Sequence, residues 1–329
     1  MRTLMIALTP PMEGGSQWHV HELSKRIKCN VLRQKYELSS IFLTNIFFAF
    51  GVYCWSLRLL FGKKRYDIIH IHDNLNYFLA PLLMLFSYKY KTIISVHGMS
   101  GFKFYDNKFL WFLFKNALKH ANKLIAVNLE DKKRLEDEGF KDITYIPNGV
   151  DTSIYKNINP KIEKKITFIG RVHEQKGIIY LLKAFKSIKT DYKLEIIGDT
   201  DNDYATRLML EYDCENIIWR GSIKDRKEIV RSLKSAQCIV LPSVFEGLPL
   251  TLFEALASGR PVIVSDIPAF KSIIKDEALF FKSKNAGDLS KKIKYLLDNK
   301  TSFGQKGKEL AKNYDWNIIA KQTMEVYNG

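Results

Sequence analysis

The segment QCIVLPSVFEGLPLTLFEALASGRPVIVSD, residues 237–266, leaves the chain few folds to choose from. Cys238 to Leu241 is a short apolar, β-branched run, the pattern of a strand buried on both faces of a parallel sheet. Pro242 ends it, and Ser243 to Leu248 reads as a loop. Pro249 sits where a helix accepts proline, in a first turn whose amides lack intrahelical partners. Leu250, Phe253, Leu256 and Ala257 then recur at helical spacing. Gly259 suits a left-handed cap, Pro261 blocks continuation, and Val262 to Ser265 is the next buried strand.

Two carboxylates punctuate this unit, Glu246 in the loop and Glu254 within the helix. A helix start just past the carboxyl end of a parallel strand is a place where anions bind. The amides of Leu250, Thr251 and Leu252 are placed to face a phosphate there. Glu254, about one turn deeper, can accept both hydroxyls of a ribose, and Glu246 lies on the side where a sugar beyond the phosphates would sit. The competing reading is a solvated helix with two surface acids.

The context FEGLPLTLFEALASGRPVI, residues 245–263, resembles the Glu-x7-Glu signature of retaining glycosyltransferases of family 4 (glycosyl transferases group 1). A bare acidic pair at that spacing is common; the same pair with EG, EA, then G-x-P and an apolar strand is specific. The resemblance implies an α/β chain with the GT-B fold: two Rossmann-like doubly wound domains facing a cleft. It also implies that Gly247 and Leu248 join Glu246, Thr251, Leu252 and Glu254 on the donor.

With 329 residues the chain is long for one average domain and comfortable for two. A hydrophobic content of 46% supports real cores and excludes disorder. The net charge of +16 implies an anionic partner, whether nucleotide phosphates, anionic lipid or nucleic acid. Cys29, Cys54, Cys214 and Cys238 form no C-x-x-C pair and read as reduced thiols in a cytosolic setting. MRTLMIALTPP has no long apolar core or small-residue cleavage site, so it reads as a first strand and not a signal peptide.

In the first half, Leu4 to Leu8 opens a sheet, and Gly14-Gly15 turns into a helix carrying Val20, Leu23 and Ile27. Glycines let backbone approach phosphate closely, although an ordinary strand–helix turn needs them too. The family has a GG loop here that closes over the donor phosphates or meets the acceptor. Asn30 to Arg33 is a candidate second strand. IFLTNIFFAFGVYCWSLRLLF, residues 41–61, approaches membrane-spanning length, but Asn45, Ser56 and Arg58 favour a core helix, with an interfacial one next. In YDIIHIHDN, residues 66–74, His70 and His72 share a face by period two. That spacing suits two metal ligands, yet no third ligand is visible at a sensible spacing, so the segment reads as a polar strand end.

TIISVHGMSG, residues 92–101, is a strand ending in His97-Gly98. A histidine at the carboxyl end of a parallel strand can meet a ligand or simply hold structure. In the family such a histidine contacts the donor sugar. Its usual partner is an acid, which Gly98 replaces here. GFKFYDNKFLWFLFKNALKHANK, residues 101–123, mixes Phe102, Phe104, Phe109, Trp111 and Phe112 with Lys103, Lys108 and Lys115. It reads either as a basic aromatic face for anionic membrane or as a core helix with wet lysines. DITYIPNGVD, residues 142–151, turns at Pro147-Asn148-Gly149 and resembles the family's exit from its first domain, with Asn148 lining the cleft.

YKNINPKIEKK, residues 155–165, is a polar linker, so the domains are expected at 1–155, joined by a final helix 314–329, and at 156–313. Ile166 to Ile169 opens the second domain and runs into GRVHEQKG. Gly170 permits a sharp exit; Arg171 and Lys176, beside a helix start, suit a diphosphate, Arg as a fork and Lys as a point charge. The phrase resembles the family's diphosphate-binding GR…KG. Asp199, Asp201 and Asp203 tempt a metal reading, but a calcium loop wants Gly and Glu where Tyr204 and Leu210 stand, so capping and solvation are expected. NIIWRGSI, residues 216–223, ends at Gly221, where family backbone meets the nucleotide base.

The resulting expectation is a retaining glycosyltransferase using a UDP- or GDP-sugar and a glycan or lipid-linked acceptor. It needs no metal or other cofactor, touches anionic membrane peripherally at the inner face of the cell membrane, and binds no nucleic acid. A nucleotide-sugar epimerase of the same fold, a non-catalytic subunit of a glycan-assembly complex and an RNA-binding protein stay open as rivals. The last lacks a stacking-and-basic motif of known type.

Overall fold

A computed structural model describes residues 1–7, 15–33, 61, 65–72, 86–99 and 107–329. Residues 34–60, Gly14, and the aromatic positions 102 and 104 of the sequence reading lie outside them. The chain divides into two compact units, Met1–Asn148 with Trp316–Gly329, and Gly149–Asp315. The division falls ahead of the polar segment 155–165 because residues just past Asn148 are tied to the end of the second unit. Val150 N–H donates to Tyr314 O at 2.8 Å, and the Thr152 amide and hydroxyl donate to Asp315 Oδ2.

In the first unit six parallel strands lie in the order β2-β1-β3-β4-β5-β6: β1 (Thr3–Ala7), β2 (Cys29–Arg33), β3 (Ile68–His72), β4 (Lys91–Val96), β5 (Lys123–Ala126) and β6 (Ile143–Tyr145). Their side chains are apolar on both faces because helices cover both faces of a parallel sheet. Leu4, Ile6, Ile69, Ile71, Ile94, Val96, Leu124 and Ala126 form the core with Phe114 and Leu118 of α2 (Lys108–Lys119). Helix α1 (Gly15–Arg26) follows β1, and α3 (Leu129–Asp137) follows β5. Chain order reverses between β1 and β3, so ligands are expected beyond the carboxyl ends of those strands.

The last helix of this unit, α11 (Trp316–Asn328), packs against α1 and closes with two buried anchors. Trp316 stacks edge-on to His19 at 5.2 Å between ring centroids, and the Tyr327 hydroxyl pairs with His70 Nδ1 at 2.7 Å. His70 Nε2 meets Ser95 Oγ at 2.8 Å, so both ring nitrogens are engaged inside the protein.

The second unit repeats the plan as β12-β11-β10-β7-β8-β9. Its strands are β7 (Lys165–Ile169), β8 (Lys193–Ile197), β9 (Ile217–Gly221), β10 (Cys238–Leu241), β11 (Val262–Ser265) and β12 (Leu279–Phe281). Between them run α4 (Ile178–Lys186), α5 (Asp203–Glu211), α6 (Arg226–Ser235), α7 (Leu250–Ala257) and α8 (Pro268–Lys271), followed by α9 (Ala286–Asp298) and α10 (Phe303–Lys312). Order reverses between β7 and β10. In the aspartate run Asp199 Oδ1 accepts from the Asp201 amide, while the cap of α5 is Asn202, just ahead of Asp203. Gly259 adopts the left-handed φ of 74° expected of the cap after α7.

Gly177 is dictated by close approach. Gly177 has φ 63° and caps α4; a Cβ built there would lie 2.0 Å from Pro242 O. Gly177→Ala is therefore expected to destabilise the second unit by about 2–4 kcal/mol, since both the dihedral and the backbone spacing must give. A urea unfolding midpoint equal to wild type would show that the two loops are not tightly seated.

His70 yields a second expectation. Burial, and secondarily the neighbouring His19, lowers its pKa from 6.5 to about 3. The unfolded chain then takes up a proton before the folded one does, so its contribution is complete above pH 6.5 and declines as pH falls toward 3. At 1.36 kcal/mol per pH unit, this single group costs about 2 kcal/mol of stability between pH 6.5 and 5, above the range where ordinary carboxylates titrate. Denaturant titrations at both pH values should show that loss in wild type and a smaller one in His70→Gln; equal slopes in the two proteins would contradict it.

Candidate functional site

The reversal between β7 and β10 is where the second unit brings two of the sequence motifs together, the Lys176 turn and the Glu246 loop. The turn after β7 carries Gly170 (φ 148°), Arg171 and a short 3-10 turn, Glu174–Lys176. The loop after β10 carries Ser243 to Leu248. The two loops are joined by backbone: Val244 N–H donates to Gln175 O at 2.8 Å, and Gln175 Nε2 donates to Phe245 O at 3.1 Å. On that base Lys176 Nζ meets Glu246 Oε1 at 2.6 Å, and Ser243 Oγ donates to the same oxygen at 2.7 Å. The pair is largely shielded, with side-chain exposures of 13% and 6%, so each charge depends on the other.

Arg171 points outward at a cavity of about 520 Å³ that it lines with His173, Glu174, Asp199, Asn202 and Tyr204. The Lys176 side chain passes beside Gly170, where a Cβ would meet its Cδ at 3.8 Å. Gly221 ends β9 with φ 65° and open space where a Cβ would be, and its carbonyl accepts from Gly198 N–H at 3.0 Å. Gly247 is half-buried and Leu248 packs into the core beneath the loop.

Helix α7 begins with no side-chain cap, and Thr251 is half-buried at its first turn. The Leu252 amide donates to Pro249 O at 3.2 Å, in a tight first turn on that carbonyl. Glu254 is buried, and its Oε1 accepts from Arg226 NH2 at 2.7 Å. Tyr155 lies near this pair. Its hydroxyl is buried with no hydrogen-bond partner among the described residues, and burial first, then the Glu254 charge, pushes its pKa well above 10. Sequence reading did not find Arg226 or Tyr155. Nothing in KDRKEIV marks one basic residue over another, and only the fold places Arg226 over a carboxylate 28 positions away.

In the first unit His97 ends β4 half-buried. Asp131 of α3 accepts from the Gly98 and Met99 amides that follow it, both at 2.8 Å. Burial raises the Asp131 carboxyl, and those bonds with one from Asn128 oppose the rise. His97 Nε2 lies 3.2 Å from His72 Nδ1, and His19 Nδ1–H donates to Asn148 Oδ1 at 2.8 Å. Asn148 thus holds a histidine in place. Burial lowers His19 to about 4 and carries His72 and His97 well below 6.5, so these rings are neutral at pH 7. His19 also escaped the sequence reading; its signal is the HVH that follows the glycine turn. Gly14 lies outside the described residues, and Gly15 stands exposed at the start of α1.

Comparison with known proteins follows the same lines. The family described as glycosyl transferases group 1 matches residues 151–315, and the one described as glycosyltransferase family 4 matches residues 34–154. An uncharacterised glycosyltransferase of Methanocaldococcus jannaschii is 28% identical over 82% of this chain and 76% of its own. The UDP-Gal:alpha-D-GlcNAc-diphosphoundecaprenol alpha-1,3-galactosyltransferase of Escherichia coli is 30% identical over 68% of this chain and 62% of its own. Among solved structures, sucrose-phosphate synthase from Thermosynechococcus elongatus superposes with a TM-score of 0.80 at 18% identity, over 100% of this chain and 98% of that one. The two doubly wound sheets are thus those of the GT-B fold, and the chain belongs to the group 1, family 4 glycosyltransferases.

Proposed function

We propose that the chain transfers a hexose-type sugar from a UDP- or GDP-sugar to a glycan or lipid-linked acceptor, with retention at the anomeric carbon. The observation that carries this is the Lys176–Glu246 pair at the reversal between β7 and β10, in the unit that also carries Glu254 on α7. A buried pair of opposite charges beside a helix start can exchange partners with a ligand that is itself anionic at one end and rich in hydroxyls at the other. Lys176 and Arg171 take the diphosphate, with the amides of Leu250 and Thr251 beside them. Glu246 takes sugar hydroxyls, Glu254 the ribose, and backbone near Gly221 the base. His97 is assigned to the sugar by its match to the family pattern.

In the step itself an acceptor hydroxyl attacks the anomeric carbon on the face that the phosphate leaves. The C–O bond to phosphate breaks, and the departing phosphate oxygen takes the hydroxyl proton. Two cations offset the charge that grows on that oxygen, the work a divalent metal does elsewhere, so this reading asks no metal of the leaving group. The acceptor class is supported by the name of the E. coli relative, whose acceptor is a diphosphoundecaprenol-linked sugar.

Peripheral membrane contact is part of the proposal. On α2, Phe114, Ala117 and Leu118 are buried, while Phe109 and Phe112 stand 66% and 59% exposed beside Lys108 and Lys119. Among the described residues no helix is long and apolar enough to cross a membrane.

Glu254→Ala should weaken nucleoside diphosphate binding by about ten- to a hundredfold in calorimetry while the fold is kept, and unchanged affinity would remove the ribose role. Arg171→Ala should lower turnover about 10²-fold or more in a screen of nucleotide sugars with and without lipid-phosphate acceptors. Wild-type rates in that variant would take Arg171 out of the mechanism. Sedimentation with anionic vesicles at low salt should carry the protein down, less so for a Phe109→Ser, Phe112→Ser double variant; failure of the wild type to sediment would end the membrane assignment.

A further inference from the structure

We propose that Tyr155 is a positioning residue of the donor site: when nucleotide binds, its hydroxyl takes over the Glu254 carboxylate from Arg226 and holds it against the ribose. The inference rests on the ribose role given to Glu254 above. Tyr155 ends a short 3-10 turn, Thr152–Tyr155, and is 3% exposed. Its hydroxyl has no hydrogen-bond partner among the described residues. An unpaired buried hydroxyl destabilises a fold by more than a made bond stabilises it, so this group calls for a further partner.

The surroundings point to Glu254. Tyr155 shares a core cluster with Leu252 and Phe253 of α7, and its turn lies against α6, which begins at Arg226. It is thus set beside the pair that joins those helices, Arg226 NH2 to Glu254 Oε1 at 2.7 Å. The other acid near it, Asp151, already accepts from the Ser153 amide and hydroxyl. Burial first, then the Glu254 charge, push the Tyr155 pKa well above 10, so at neutral pH the hydroxyl keeps its proton and donates. Its backbone is held from α6, where Lys234 Nζ donates to Tyr155 O at 2.7 Å. The partner must therefore come to the ring.

Arg226 is the member of the pair that can turn to water, with its side chain 31% exposed against 8% for Glu254. Turning Glu254 to the ribose breaks the Arg226 bond and strips a buried carboxylate of its protein partner. Tyr155 donates to that carboxylate from the protein side and leaves its other lone pairs to the ribose hydroxyls. The bond is made with nucleotide bound and not without it, so it contributes to affinity and not to the stability of the protein alone.

The test measures UDP and GDP binding by calorimetry in the full chain, with and without Glu254→Ala. Tyr155→Phe should weaken binding about five- to tenfold on the wild-type background and less than about twofold on Glu254→Ala. Its urea unfolding midpoint without nucleotide should equal or exceed that of wild type. The substitution keeps the ring, so the fold is retained, with circular dichroism as the check. Wild-type affinity in folded Tyr155→Phe overturns the assignment and leaves the ribose role standing. So does an undiminished loss on the Glu254→Ala background. A midpoint well below wild type also overturns it, since the hydroxyl then has a partner in the protein alone. Unchanged affinity in Glu254→Ala by itself, or no binding of either nucleotide to the wild type, removes the ribose role and this inference with it.

Discussion

The second unit is organised by the contact of two loops across the reversal between β7 and β10. Gly177 brings backbone against Pro242 O at a spacing no side chain would allow, and the Val244–Gln175 hydrogen bond locks that approach. Only then do Lys176 and Glu246, 70 positions apart, reach 2.6 Å. Ser265 supports the arrangement from β11, its hydroxyl donating to Ser243 O, while Ser243 Oγ shares the Glu246 oxygen. Neither charge is well hydrated, so removing one leaves the other buried and unpaired, at a cost of about 3–5 kcal/mol. A ligand that offers an anion to the lysine and hydroxyls to the carboxylate relieves that mutual dependence without stranding either.

The first unit solves a different problem with the same architecture. Four histidines converge near the carboxyl ends of β3 and β4, and burial keeps His19, His70, His72 and His97 neutral. Neutral rings pack together without repulsion, and ring contacts link His19 to His72 and His97 and His72 to His70. The chain reaches Asn148 at one end and Tyr327 of α11 at the other. It therefore ties the exit of this unit and its returning helix to the sheet.

Much of the second unit was legible from residues because its signals are local. Proline and glycine bracket α7, the apolar runs of β10 and β11 are short and β-branched, and GRVHEQKG announces a turn into a helix. The partners of the key carboxylates were not legible. Arg226 reaches Glu254 from another helix, and Asp131, 34 positions beyond His97, holds the Gly98 and Met99 amides. Period two did place His70 and His72 on one face, but the rings that complete the cluster come from residues 19 and 97, which only the sheet order brings near. The Leu252 amide donates to Pro249 O across the first turn of α7, a local bond that residue spacing does not announce.

The account depends on a nucleoside diphosphate displacing internal partners from the acidic residues of the second unit. A crystal structure of the protein with UDP or GDP tests it most directly. It should show the diphosphate against Lys176 and Arg171 at the start of α7, and Glu254 turned from Arg226 to the ribose hydroxyls. A nucleotide bound elsewhere, with the Lys176–Glu246 and Arg226–Glu254 pairs intact, would contradict the account.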